Sequence, residues 1–168
     1  MTCVKPMVNA KLLKELQRWA SADGARERLR RVWVSGGWLY ATDTFRAARA
    51  KAPEGAPDGV AIDREVVERT TPRDLCVELL PEGARLGRAL FPYVPMEGPI
   101  GIGSVFERSG DPGPLHVDPA FLRDVASMAR AVGAPPELEC RRRLHARASG
   151  PFGEVEMVVM PKVWKESK

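Results

Sequence analysis

The chain has 168 residues and a mass of 18.5 kDa, a length that favours one domain, or one domain with an appendage, and argues against a two-domain enzyme with an interdomain cleft. Hydrophobic residues make up 44% of it and charged residues 29%, which excludes full disorder and a membrane protein and leaves a soluble folded chain. The net charge of +4 hides a pattern of 11 basic and 4 acidic side chains in 1–52, 6 and 11 in 53–115, and 9 and 7 in 116–168; two basic ends around an acidic middle suit a polyanionic partner.

Residues 9–20, NAKLLKELQRWA, set Leu12, Leu13, Leu16, Trp19 and Ala20 at helical spacing behind Asn9 as N-cap, which predicts a short amphipathic helix. After SADGARE come LRRVWVSG, WLYATD and FRAARAKA, rich in Val, Trp, Tyr and Phe and broken at Gly36-Gly37 and Asp43-Thr44. They read as three strands joined by tight turns. In the middle, IDREVVERT suggests a short helix and DLCVELL a strand. The run FPYVPMEGPIGIGSVFERSGDPGP is dense in Pro and Gly, and long loops are expected there.

A second helix is predicted over 118–132, with Asp118 as N-cap, Pro119 at the first helical position, Phe121, Leu122, Val125, Ala129 and Val132 on one face, and Gly133 as the stop. ELECRRRLHARAS and EVEMVVMPKVW follow as strands around SGPFG. Sliding the chain by 109 positions lays Val8-Asn9 on Val117-Asp118, Leu12-Leu13 on Phe121-Leu122, Leu16 on Val125 and Trp19-Ala20 on Met128-Ala129. Cap, apolar stripe and charge order all repeat. A helix followed by strands, stated twice, predicts an α+β domain of two pseudo-twofold halves, about 1–52 and 116–168, linked by 53–115, with both helices packed side by side on antiparallel sheet. Leu12, Leu16, Trp19, Leu122, Val125 and Ala129 are expected to be buried.

Catalysis finds little support. The P-loop, HExxH and GxSxG patterns do not occur. The glycines from Gly98 to Gly103 lie among prolines, with no strand before or amphipathic helix after them to form a phosphate loop. Asp43 in its Thr-Asp-Thr turn suits backbone hydrogen bonding. Cys3, Cys76 and Cys140 are far apart and His116 and His145 lack ligand spacing, so no metal, disulfide framework or cofactor is expected. With no apolar run near the roughly 20 residues that cross a bilayer and no signal-peptide block, a cytoplasmic protein is expected.

WLYATDTFRAARA resembles the strand–turn–strand of the bacterial sliding clamp, the ring-forming beta subunit of the replicative DNA polymerase, where an ATDGHRLA-like stretch follows a helix and a strand. HVDPAFLRDVASMARA followed by EVEMVVMPKV resembles that family's closing half-domain, with its FNxxYLLDxL-type helix and YVVMPxR strand, and FPYVP is similar to its FPDYxxxxP linker. The likeness covers roughly residues 8–52 and 116–163 and implies a DNA-clamp-like domain. Thr44-Phe45 stands where the family has Gly-His, and a family chain has three such domains in tandem, so a closed ring here would need several copies, a homo-oligomer.

The resemblance also implies roles. The helices would face double-stranded DNA, met without sequence preference by Lys11, Lys14 and Arg18 on the first and Arg123 and Arg130 on the second, with Glu15 and Asp124 diluting the charge. Thr42, Phe45 and Arg46 of the turn and Val159, Met160 and Pro161 of the last strand would belong to a pocket for short motifs of replication proteins. The densest basic runs, RERLRR at 26–31 and RRRLHAR at 141–147, are expected on exposed strand faces. A second reading is a monomeric interaction or inhibitor module that mimics a clamp domain and never encircles DNA.

Overall fold

The computed structural model describes residues 5–96, 102–108 and 110–161; Cys3, most of the Gly98–Gly103 run and the tail from 162 onward lie outside them. In chain order the elements are β1 (Met7–Asn9), α1 (Ala10–Trp19), a 3-10 stretch (Gly24–Leu29), β2 (Val32–Ser35), β3 (Trp38–Thr42), β4 (Arg46–Lys51) and β5 (Val60–Ile62). Then follow α2 (Arg64–Arg69), β6 (Cys76–Leu80), β7 (Gly83–Leu86), β8 (Ala89–Phe91), β9 (Val94–Pro95), a 3-10 turn (Gly103–Phe106), α3 (Pro119–Val132), β10 (Glu137–Cys140), β11 (Leu144–Gly150) and β12 (Gly153–Val159).

The strands make two antiparallel sheets, β1-β6-β7-β8 and β10-β11-β12-β4-β3-β2-β5-β9. The meanders β2-β3-β4 and β10-β11-β12 meet last strand to last strand, Ala47 opposite Val158 and Arg49 opposite Glu156, and their helices α1 and α3 pack together beside that seam. This is the twofold arrangement that the repeated pattern predicts. Arg18 on α1 and Ser127 on α3, 109 positions apart, touch through Nη1 and Oγ at 3.4 Å. Equivalent residues that touch each other mark where the pseudo-axis passes.

The middle segment holds more structure than its Pro and Gly content suggests. β5-α2-β6-β7-β8 repeats the plan of β1-α1-β2-β3-β4, a short strand and a helix before three strands. The two units exchange their first strands: β1 pairs with β6 and β5 with β2. This repeat is faint in the sequence because α2 has six residues against ten in α1, too few turns for a periodic apolar stripe. The third unit, α3-β10-β11-β12, has no strand on the outer edge of β10 among the described residues.

Local chemistry explains the ends. The Asn9 side chain accepts from the amides of Lys11 and Leu12, and that of Asp118 from Ala120, satisfying first-turn N–H groups that have no partner within the helix. Gly133 ends α3 with φ of 80°, its amide reaching the Ala129 and Arg130 carbonyls, a left-handed cap that costs glycine least. The core lies between helices and sheets and contains Leu12, Leu13, Leu16, Trp19, Leu39, Val125, Met128, Met157 and Val159. Small residues admit the helices closely. Ala41, Ala48 and Ala50 are buried in the sheet, and a Cβ on Gly150 would collide with the Val132 carbonyl at the end of α3.

Three expectations need correction. Leu122 is 42% exposed, because the core-facing stripe of α3 runs through Val125, Met128, Ala129 and Val132 and leaves Leu122 on its flank. ELECRRRLHARAS is two strands, with Arg141–Arg143 in the turn between β10 and β11. RERLRR begins in the 3-10 stretch and precedes β2; its charges pair locally, Arg26 with Asp23 at 3.5 Å, and Arg30 and Arg31 with Glu27 at 3.3 and 2.5 Å.

Candidate functional site

Two surfaces collect the residues singled out by sequence. The first is the outer side of the helices. On α1, Lys11, Lys14 and Arg18 are exposed while Leu12, Leu13, Leu16 and Trp19 are buried; on α3, Arg123 and Arg130 are exposed. α2 packs on α1, which packs on α3, so the helices stand in a row with α1 in the centre. Lys14 Nζ donates to the carbonyl of Thr70 at 2.8 Å, a cation on the negative end of α2. Arg18 bridges to α3, meeting Asp124 at 3.5 Å as well as Glu15 at 3.2 Å. Among the described residues, Lys11, Lys14, Arg123 and Arg130 form no ion pair with a carboxylate.

Beneath this row lies the residue that locks it. Arg46 at the start of β4 pairs with Asp43 at 2.9 Å and with Asp124 of α3. It also donates to the Arg18 carbonyl at 2.8 Å, and its guanidinium stacks over Trp19 and Phe121, 5.1 and 5.3 Å from the ring centroids. The side chain is 12% exposed. A planar cation shared by two carboxylates, a helix-end carbonyl and two rings fixes the angle between α1, α3 and the sheet.

The turn before it is built to aim Arg46. Asp43 Oδ1 accepts from the amides of Phe45 and Arg46, each at 3.0 Å. Thr42 Oγ1 accepts from the Thr44 amide at 3.1 Å and donates to the Arg46 carbonyl at 2.8 Å. Thr44 is forced to φ of 82°, a left-handed conformation costly for a β-branched residue. Arg26 Nη1 donates to its hydroxyl at 2.9 Å and helps to hold it.

The second surface is a groove of about 340 Å³ on the face of the large sheet opposite α1 and α3, where the Gly103–Phe106 turn packs. Thr42, Arg46 and Met160 line it together with Leu29, Thr44, Ala47, Ile102, Val105, Arg143 and Val158. Of the six residues expected in a partner pocket, Thr42, Arg46 and Met160 line this groove. Phe45 is 61% exposed and joins the groove's frame through its backbone, its carbonyl accepting from the Met160 amide at 2.9 Å. Val159 is buried in the core against the helices, and Pro161 follows, half-buried. Strand alternation explains the displacement: on β12 the groove takes Val158, and its neighbour Val159 points through the sheet. Ile102 and Val105 carry no sequence signal because they lie in a Pro/Gly-rich stretch without period.

The groove continues into an apolar patch of Ala47, Ile102, Phe106 and Val158. Phe106 lies 6.0 Å from Tyr40 between ring centroids and under Arg49 at 4.5 Å. A neighbouring polar cavity of about 350 Å³ is lined by Arg49, Arg108, Glu139, His145, Arg147 and Glu156. Its charges are matched, Arg49 with Glu156 and Arg108 with Glu139 at 2.9 Å. Burial, and then the nearby Arg108, hold His145 below the ordinary histidine value. Among the described residues no cluster of His, Cys, Asp and Glu could hold a metal ion, and no helix is long and apolar enough to cross a membrane.

The helices set against one face of paired meanders have counterparts among solved structures. The fold matches that of part of a bacterial sliding-clamp chain. The chain superposes on the beta subunit of DNA polymerase III from Thermotoga maritima with a TM-score of 0.55, 12% identity and coverage of 96% of this chain and 66% of that one. It superposes on the sliding clamp of Pseudomonas aeruginosa, solved with griselimycin bound, with a TM-score of 0.58, 12% identity and coverage of 98% and 66%. The chain therefore spans just under two thirds of these two clamp chains and about half of others that it matches. No family model and no curated protein sequence matches it.

Proposed function

We propose that the chain is a non-catalytic, cytoplasmic clamp-like protein that binds double-stranded DNA without sequence preference along α1 and α3 and docks replication proteins in the groove. The halves of about 1–52 and 116–168, with the linking segment between them, act as one clamp-like body. The observation that carries this reading is the packing of α1 beside α3 on one side of the sheet, with Lys11, Lys14, Arg18, Arg123 and Arg130 all exposed on those two helices. Lys and Arg on such a face neutralise phosphates and leave base edges unread, which gives weak, salt-sensitive, sequence-independent contact. The groove supports the docking role. It is mostly apolar, and Met160, at its rim, is a side chain able to repack around different ligands.

A monomeric interaction or inhibitor module, one that mimics a clamp domain without encircling DNA, is favoured by Arg18, whose charge on the helix face is already met by Glu15 and Asp124. Light scattering combined with DNA titration at falling salt separates the two. A stable oligomer whose DNA affinity rises steeply as salt falls supports the clamp-like reading, and a monomer without DNA affinity at low ionic strength supports the module.

A further inference from the structure

The arginine turn between β10 and β11 lies on the wrong side of the sheet to serve the helix face. Arg143 lines the groove, and its Nη1 donates to the Val105 carbonyl at 2.9 Å. A guanidinium has five N–H donors, so this bond leaves most of its capacity unused. Arg141 is neutralised by Glu139 at 2.5 Å, whereas among the described residues neither Arg143 nor the exposed Arg142 forms an ion pair. Between this turn and the 26–31 run, whose Leu29 lines the same groove, the floor is apolar: Ala47, Ile102, Val158 and Met160.

We infer that the groove selects protein segments in which an Asp or Glu side chain stands beside the apolar anchor, Arg143 receiving the carboxylate. The inference rests on the docking reading of this groove and adds the partner's charge. Arg suits the task because its planar fork matches a carboxylate and sheds water more readily than an ammonium group does. Arg46, the groove's other arginine, is already committed to Asp43 and Asp124. Selection therefore falls to the turn.

The test uses the full chain and fluorescence polarisation with three labelled peptides, each a leucine pair flanked by Asp, Asn or Lys. The Asp peptide is expected to bind up to about fivefold more tightly than the Asn peptide, the scale of one exposed ion pair, with the gap closing as salt rises. In R143E, and in R143Q, which keeps a donor for Val105, the ratio of Asp to Asn affinity should fall towards one. Equal affinity for the Asp and Asn peptides on the unaltered chain, or a ratio that survives both variants, overturns the inference while leaving docking intact. Failure of all three peptides to bind overturns the docking reading and the inference with it. Displacement of the Asp peptide by a DNA duplex in the unaltered chain and equally in a variant with the helix face reversed assigns the turn to nucleic acid and also overturns it.

Discussion

The two faces of the eight-stranded sheet differ in how they use charge. On the helix side, cations stand on α1 and α3 above an apolar core, and Lys11, Lys14, Arg123 and Arg130 form no close ion pair with a carboxylate among the described residues. On the other side, charges of β4, β11 and β12 are matched across strands, Arg49 with Glu156 and Arg147 with Glu154, around a small apolar patch and its groove. An unmatched cationic surface is costly to keep unless a polyanion meets it, whereas a matched one is stable by itself and leaves apolar contact and isolated charges such as Arg143 to choose a partner.

Arg46 belongs to both faces, and its removal is the largest expected effect. Arg46→Ala leaves Asp43 without its cation and Asp124 with Arg18 alone, and should cost about 3–5 kcal/mol in chemical denaturation, the range for breaking a buried pair on one side. A loss under about 1 kcal/mol, the ordinary worth of an exposed ion pair, would mean that the two faces are independent. Gly150→Ala tests the helix side alone. Its new methyl group collides with the Val132 backbone, so about 1–3 kcal/mol of overpacking is expected, with peptide binding in the groove unchanged.

His145 tests the other face by pH. Its folded pKa lies below the ordinary value of 6.5, so its contribution to stability is present above that value and is lost as pH falls below it, where the unfolded chain takes up the proton first. Arg108, Arg141 and Arg143 oppose its protonation and Glu139 favours it. His145→Gln should flatten the stability profile just below pH 6.5, leaving the loss at lower pH that comes from Glu78 and Glu139, whose carboxyls are held below the usual range by Arg85 and Arg141. An unchanged profile in the variant would mean that the buried histidine does not set the pH response of this face. The smallest effect belongs to Thr44→Gly, which relieves the left-handed strain and should raise stability by about 1 kcal/mol. If stability falls instead, the Arg26 bond to the Thr44 hydroxyl outweighs the strain.

The helix side is legible in the sequence because its signals are local. Asn9 and Asp118 announce the caps, Gly133 the stop, and the 3.6-residue period places Leu12, Leu16, Val125 and Ala129 in the core. Leu122 departs from its expected burial because period alone leaves the edge of the stripe undecided by one residue. The groove is half legible. Thr42, Arg46 and Met160 follow from a resemblance in two short segments, but Leu29, Ile102, Val105 and Arg143 are far apart in sequence and meet only when β4, β12 and the Gly103–Phe106 turn are packed together. Val159 in place of Val158 reflects a one-residue slip on a strand, which moves a side chain to the opposite face.

Reversing the helix face by Lys11→Glu, Lys14→Glu, Arg123→Glu and Arg130→Glu, with the apolar stripe untouched, and measuring the affinity for a DNA duplex across a range of salt concentrations tests the central claim most directly. The slope of log affinity against log salt should flatten by about 0.9 for each phosphate that is no longer neutralised, and most of the binding should disappear while the melting transition stays. Full binding with an unchanged slope, or its disappearance on reversing Arg141, Arg142 and Arg143 instead, would contradict the assignment of DNA to the helices.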